Sequence, residues 1–265
     1  MNKKVAKRMG WCYNDKNQEE RYEMKITFFG TSAATPRKNR RNTSIFFEIG
    51  ERKYIFDMGC NVIEDLSNRG IDCEEIDAVF ISHMHGDHTG GLIPFLGNID
   101  RPALFHIDPL ICLPPPMEQT IDAYVAWRKC TSHREQRTFR FQEIEPGTFY
   151  DDGILKVTAY RTEHCWMSFA FLLEAEGKRV FFSGDFSREP EKEFPYEILE
   201  QPLDVAICEL GHFPAEKYGI IFAEKKPKHL YIAHISSRFL KTIPPFAESA
   251  DFPVTGAYDG LEFEV

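Results

Sequence analysis

The stretch Ile81-Ser82-His83-Met84-His85-Gly86-Asp87-His88-Thr89-Gly90-Gly91 decides how this chain is read. It closes an apolar, strand-like run, Ala78–Ser82, and leads into a helical pattern at Gly90–Leu96. Alternate residues at a strand end point the same way, so His83 and His85 converge on one point. The turn at Gly86 lets Asp87 and His88 face a second one. Imidazole nitrogen suits zinc, and a carboxylate in the set widens the choice to manganese or iron. Four candidate ligands within six residues are far more specific than a lone histidine pair.

Outward from this cluster, strand patterns recur at Lys25–Phe29, Ser44–Ile49, Lys53–Phe56, Leu155–Tyr160, Phe169–Leu173, Arg179–Ser183, Val205–Cys208 and His229–Ala233. Helical patterns fall between them at Val62–Asn68, Pro116–Lys129 and Ala215–Glu224. Such a mixture of hairpins and strand–helix units predicts a layered α/β domain. No repeat or linker divides the chain, so residues 25–265 read as a single domain. Residues 1–24 are polar, charged and without period, and read as an N-terminal extension.

Composition narrows the function. With 265 residues, 43% apolar and 28% charged, the chain has the profile of a soluble globular protein rather than a disordered or fibrous one. No apolar run approaches the roughly 18 to 20 residues that cross a bilayer. The basic start Met1–Arg8 leads into polar Tyr13–Arg21 rather than a signal-peptide core, so a cytoplasmic protein with no membrane segment is expected. Seven scattered cysteines, never in a C-x-x-C pair, signal neither a disulfide framework nor a thiolate zinc site. A net charge of −9 opposes a surface devoted to nucleic acid. Arg37-Lys38-Asn39-Arg40-Arg41 is the clearest local exception, either a solvated loop or a rim that contacts phosphate.

Further candidate ligands stand at the ends of later strand patterns. His164 follows Leu155–Tyr160, Asp185 follows Phe181-Phe182-Ser183-Gly184, and His234 follows Tyr231-Ile232-Ala233. With the first cluster they complete a pattern that resembles the metallo-β-lactamase superfamily, and within it the ribonuclease Z-like branch. Gly30-Thr31-Ser32-Ala33-Ala34-Thr35-Pro36, Arg41-Asn42-Thr43-Ser44, His234-Ile235-Ser236-Ser237-Arg238-Phe239 and Ala257-Tyr258-Asp259-Gly260-Leu261 carry the branch resemblance. It implies a four-layer αββα sandwich and two divalent metal ions, zinc first, manganese or iron as alternatives. By that resemblance His83, His85 and His164 hold one ion, Asp87, His88 and His234 the other, and Asp185 bridges them. Asp57 would brace the histidine loop from behind. His212 would protonate the leaving group, with Glu209 orienting it, and Ser236 and Arg238 are candidate substrate contacts. A homodimer is also implied.

Two such ions lower the pKa of a shared water and polarise the scissile group, so the expected nucleophile is a metal-bound hydroxide, with Asp87 orienting the water or accepting its proton. No protein nucleophile is needed, and Cys165 beside His164 reads as packing. The resemblance departs from ribonuclease Z in one respect. Ribonuclease Z enzymes carry a transfer-RNA-gripping arm, in many bacterial members inserted between the segments matching His164 and Asp185, and here only 20 residues separate them. The 75 residues between His88 and His164, which include the stretch 112–140, have no readable function. The expected partner is therefore a phosphodiester, RNA or a small cyclic one. Lactone or thioester hydrolysis on the same fold, and a non-catalytic metal-binding protein, are the alternatives.

Overall fold

The apolar strand runs are nearly continuous, the pattern of strands covered on both faces, and the computed structural model shows what covers them. It describes residues 23–99, 109–131 and 140–265. One mixed sheet holds β1 (Met24–Gly30), β2 (Ser44–Ile49), β3 (Arg52–Met58), β4 (Ala78–Phe80), β5 (Leu110–Leu113) and β6 (Arg140–Glu143), with β14 (Glu262–Glu264) on the outer side of β1. The other holds β7 (Gly147–Asp151), β8 (Lys156–Arg161), β9 (Phe169–Ala175), β10 (Lys178–Phe182), β11 (Val205–Leu210), β12 (His229–Ile235) and β13 (Val254–Gly256), in that spatial order. Helices α1 (Ile63–Asn68), α2 (Gly86–Thr89), α3 (Leu92–Ile99) and α4 (Met117–Thr131) follow strands of the first sheet. Short helices α5 (Pro190–Glu193), α6 (Lys217–Ile221) and α7 (Ile243–Ser249) follow strands of the second.

Side chains of each strand divide between two layers. On β3, Tyr54 and Phe56 enter the core between the sheets, while Ile55 joins Leu66, Phe95 and Leu96 beneath α1 and α3. On β10, Val180 and Phe182 face that same central core, whereas Phe181 packs with Phe194, Tyr218 and Phe246 on the outer side. Three apolar layers between four layers of backbone make the expected αββα sandwich. Aromatic rings bridge the sheets at its centre: Phe56 lies 4.6 Å from Phe80 within its own sheet and 5.8 Å from Phe171 across the core.

Topology then builds the site. From β3 through β6, and from β10 through β13, neighbouring strands run parallel, so their C-terminal ends share an edge. At that edge the sheets are stitched together. Phe169 N donates to Ser82 O (3.0 Å), and bridges join His83 to Ser168 and Ser32 to Ile235.

Several local expectations change. Gly90–Leu96 is not one helix, because Gly91 N donates to Met58 O (2.7 Å) and is lost to the helical ladder, leaving α2 and α3 on either side. The run Ala215–Glu224 shrinks to α6, since the charged residues after Ala223 have no apolar layer to face. Strand β1 begins at Met24, the last residue assigned to the extension, and residues 1–22 lie outside the described part, as do His106, His133 and most of the polar stretch before Arg140. Among the described residues no helix is long and apolar enough to cross a membrane.

Candidate metal centre

Asp57 organises the histidine loop from beneath. Fully buried at the end of β3, its carboxylate accepts Ser82 N (2.7 Å), Ser82 Oγ (2.8 Å) and His88 Nδ1–H (2.6 Å). Because the Ser82 hydroxyl is spent on Asp57, its oxygen is left to accept His83 Nδ1–H at 3.1 Å. His234 is held in the same way: the Thr43 hydroxyl turns to Ser32 O (3.4 Å) and accepts His234 Nδ1–H (2.7 Å). In His83, His88 and His234 one ring nitrogen is thus occupied behind the site, and Nε2 presents its lone pair to the cleft, as metal-ligating histidines require.

These nitrogens gather around Asp185, which Gly184 delivers at φ 52°, with no room for a side chain because a Cβ there would meet Phe169 O at 2.5 Å. His83 Nε2, His85 Nδ1 and His164 Nε2 form one group, His85 Nδ1 lying 3.0 Å from each of the other two. Asp185 Oδ2 stands 3.7 Å from His83 and 3.6 Å from His164. Asp87, His88 and His234 form the second group, with Asp87 Oδ2 at 3.9 Å from His88 Nε2 and 3.8 Å from His234 Nε2. Asp185 reaches this group too, Oδ1 at 3.4 Å from His88 and Oδ2 at 3.3 Å from His234. Ligand atoms around a tetrahedral zinc ion with bonds near 2.0 Å stand about 3.3 Å apart, so both groups have the right spacing.

The donors also fit a cation chemically. His88 Nε2 and Asp185 Oδ1 are buried without any hydrogen-bond partner, two lone pairs facing each other. Only a proton or a metal cation between them removes that conflict. Burial alone would push His88 down, but Asp185 and Asp57 outweigh it and hold the ring well above its usual range. A metal ion would displace that proton and release it. Burial keeps His83 well below its usual value and lowers His164 to about 4, so both rings are neutral and available as ligands near pH 7.

Beside the two groups stands a histidine tied to a different anion. His212 Nδ1 lies 2.9 and 3.0 Å from the two oxygens of Glu209, which is itself fixed by Phe186 N (2.7 Å) and Gly211 N (2.6 Å). Burial would lower His212, but the Glu209 carboxylate and Asp185 raise it to about 9. Its ring is 4.6 Å from that of His164, and its side chain is 31% exposed, enough to meet a bound molecule. Gly211 is needed here, since a Cβ would lie 2.8 Å from His234 Cδ2 and 3.0 Å from Glu209 Oε2.

The remaining candidates are placed differently. Ser236 Oγ accepts Arg238 N (3.3 Å), and the Arg238 guanidinium lies over the Phe239 ring at 5.0 Å, an arrangement that stabilises the turn. The basic run at residues 37–41 is not a free rim. Arg40 is bound to Thr31 Oγ1 (2.8 Å) and Ala257 O (2.7 Å), and Arg41 grips Asp65 through both terminal nitrogens (2.6 and 2.9 Å). Arg37 and Lys38 are the exposed basic residues of the run, while Arg40 and Arg41 are half-buried. Cys60, Cys112 and Cys208 are buried thiols, and burial pushes Cys60 up to about 12, so packing is their role.

Sequence reasoning missed three contributors. Ala34 N donates to Asp87 Oδ2 (2.6 Å) from a residue at φ 52°, Thr43 orients His234, and Thr162 Oγ1 donates to Asp185 O (2.9 Å). Thr43 lay within the Arg41-Asn42-Thr43-Ser44 motif, whereas a backbone amide such as that of Ala34 leaves no trace in side-chain identity.

With this geometry in hand, comparisons place the chain among known proteins. A family model described as "Anti-Pycsar protein Apyc1" matches residues 24–201. Ribonuclease Z of Methanocaldococcus jannaschii is 32% identical over 154 residues, 57% of this chain and 47% of that enzyme. The chain thus spans about half the length of the ribonuclease relatives it matches. Among solved structures, the metallo-β-lactamase fold protein YhfI from Bacillus subtilis superposes with a TM-score of 0.73 at 20% identity, covering 92% of this chain and all of that one. A diphosphatase of the PhnP family gives 0.70 at 17% identity over 91% of this chain and 98% of its own. The fold is that of the metallo-β-lactamase superfamily, as the histidine cluster implied.

Proposed function

Because the chain belongs to the Anti-Pycsar protein Apyc1 family, we propose that it is a metal-dependent phosphodiesterase with two metal ions, acting on a small cyclic diester. The carrying observation is His212, held by Glu209 at 2.9 Å beside the two ligand groups, with the Glu209 carboxylate favouring its protonated form. Phosphodiesters expel a poor leaving group, an alkoxide, and need an acid of this kind.

His83, His85 and His164 would hold one ion, Asp87, His88 and His234 the other, with Asp185 shared between them. A bound pair of divalent ions supplies an activated water and neutralises charge on the phosphoryl oxygens. The chain's own groups do the rest. Asp87, steadied by Ala34 N, orients the attacking water and takes its proton. Charge then builds on the departing oxygen as the P–O bond breaks, and His212 hands it a proton. Glu209 retains its hydrogen bond to Nδ1, so the proton given is the one on Nε2. Asp57, Ser82 and Thr43 keep three histidine rings from rotating.

Two observations favour a small substrate over transfer RNA. Residues Phe169–Phe182 between His164 and Asp185 are consumed by the hairpin β9–β10, leaving no room for a projecting arm. Arg40 and Arg41, half of the basic run's four positive charges, are bonded to groups of the protein itself. Ser236 and Arg238 remain candidate contacts for a substrate phosphate.

The test strips the protein of metal, restores zinc or manganese separately, and follows a chromogenic phosphodiester beside a monoester, a lactone, a cyclic nucleotide and a precursor RNA. Metal-dependent turnover of the chromogenic and cyclic diesters, abolished by Asp185→Ala, is the expected result. Hydrolysis of the lactone alone, or none despite bound metal, rejects the reading. Faster cleavage of precursor RNA than of any small diester rejects the substrate assignment.

A further inference from the structure

Glu193 closes α5 on the outer side of the second sheet and belongs to none of the site motifs, yet its two carboxylate oxygens reach the loop that carries His164 and the loop that carries Asp185. The carboxylates of Asp57 and Glu209 brace other parts of the centre in the same way. One oxygen accepts the backbone N–H of Glu163, the residue immediately before His164. The other accepts the backbone N–H of Ser187, two residues beyond Asp185, at 2.5 Å. The two loops leave different strands, β8 and β10, and this one carboxylate bonds to both.

Other contacts show which loop depends on it. Asp185 has support apart from Glu193, because Phe186 N donates to Glu209, and its carbonyl also accepts Thr162 Oγ1 from the His164 loop. Beyond Thr162, the stretch to Ser168 is tied within itself, by Ser168 Oγ to Thr162 O (3.1 Å), by Cys165 N to Ser168 Oγ (3.3 Å) and by Arg161 to Trp166 O (2.6 Å). Apart from the contact of the His164 ring itself with His85, the bond from Glu163 N to Glu193 is the one nearest His164 that crosses from this loop to another among the described residues. Helix α5 is in turn anchored apart from the site, through Lys217 Nζ to Glu191 Oε1 (2.5 Å) and Tyr196 Oη to Glu191 O (3.1 Å).

We propose that Glu193 is a positioning residue for the metal centre, setting the place of His164 relative to Asp185 and thereby the affinity of the ion held by His83, His85 and His164. It touches neither metal nor substrate. The inference rests on the two-ion reading above, and it adds a carboxylate outside the motifs that govern one position and not the other. Partners of this indirect kind typically change metal affinity about 10- to 100-fold.

Cobalt(II) titration of the metal-free full chain, followed by its visible absorption, resolves the two binding steps, with thermal unfolding measured alongside. Glu193→Ala is expected to weaken one step at least tenfold and alter its spectrum, leaving the other within about threefold. Glu193→Gln, which keeps one acceptor oxygen, should fall between Ala and the native residue. Lys192→Met removes only the exposed pair with Glu189 at the start of the same helix and should leave both steps unchanged. Equal weakening of both steps, wild-type affinity in Glu193→Ala, or the same loss in Lys192→Met each overturns the proposal. The underlying reading fails separately: a Glu193-dependent step in a protein that hydrolyses no diester leaves the clamp standing and removes the phosphodiesterase, whereas diester hydrolysis with no such step removes only the clamp.

Discussion

Asp57 and His234 occupy φ values of 55° and 44°, a region that costs a residue with a side chain about 1 to 3 kcal/mol and persists where surrounding contacts over-determine it. Both belong to the candidate centre, Asp57 with three hydrogen bonds and His234 with its Thr43 contact. Asp57→Asn keeps the size but places an amide where His88 needs an acceptor. Metal affinity is expected to fall about 10- to 100-fold, read by competition with a chelator. His212→Ala should slow diesters with alkoxide leaving groups by about 100- to 10,000-fold while barely affecting a nitrophenyl diester, whose leaving group needs no proton. The raised pKa of His212 sets a sign. The acid must be protonated to act, so activity is retained below the folded value of about 9 and lost above it. Bound cations bring that limb lower, and Glu209→Gln lowers it further, toward the ordinary histidine value of about 6.5. A pH profile of kcat whose alkaline limb does not move in Glu209→Gln would separate His212 from proton transfer.

Elements explain how distant motifs meet. The closing run Ala257–Leu261 lies beside the first loop because Asp259 accepts Thr31 Oγ1 (2.7 Å) and Arg41 N (2.6 Å), and β14 then adds to β1. Glu262 on β14 pairs with Lys25 (2.6 Å) and Arg69 (2.9 Å), and Lys25 above all, with Arg69 and Thr27, lowers it to about 2. Its depressed folded value means the contribution to stability is present above the unfolded pKa of about 4.5 and fades as pH falls toward 2. With both side chains about a third exposed, solvent screening limits it to less than about 1 kcal/mol. Glu262→Gln should therefore lower stability slightly at pH 7 and not at pH 2, measured by urea unfolding at both. Strand patterns along β1, β2, β9 and β12 were readable because both faces are apolar. The edge strands β6, β7 and β14 were not, since they are short and half exposed, and pairing rather than composition makes them strands.

Across the whole molecule, the two sheets are welded at their centre by Phe56, Phe80, Phe171 and Phe182. Phe56→Ala should cost about 3 to 5 kcal/mol, the usual range for an emptied aromatic site, and lower the unfolding temperature without changing metal stoichiometry. Metal acts at the same scale, because its ligands come from both sheets. Saturating the centre at about 100 times its dissociation constant should stabilise the fold by about 2.7 kcal/mol, so chelation is expected to lower the melting temperature and zinc or manganese to restore it. An unchanged melting curve on chelation would mean that no ion links the sheets. The sequence by itself determined the layered α/β class, the metallo-β-lactamase resemblance and the identities of the residues that gather at the edge. Periodicity of burial and the chemistry of imidazole and carboxylate are local properties, written in neighbouring letters. Tertiary structure alone decided that Arg40 and Arg41 bond to groups of the protein itself, that Ala34 presents an amide to Asp87, and that Glu193 spans two loops. Those outcomes depend on which segments the parallel strands bring side by side, and a backbone amide or an isolated glutamate carries no mark in the sequence of the partner it will meet.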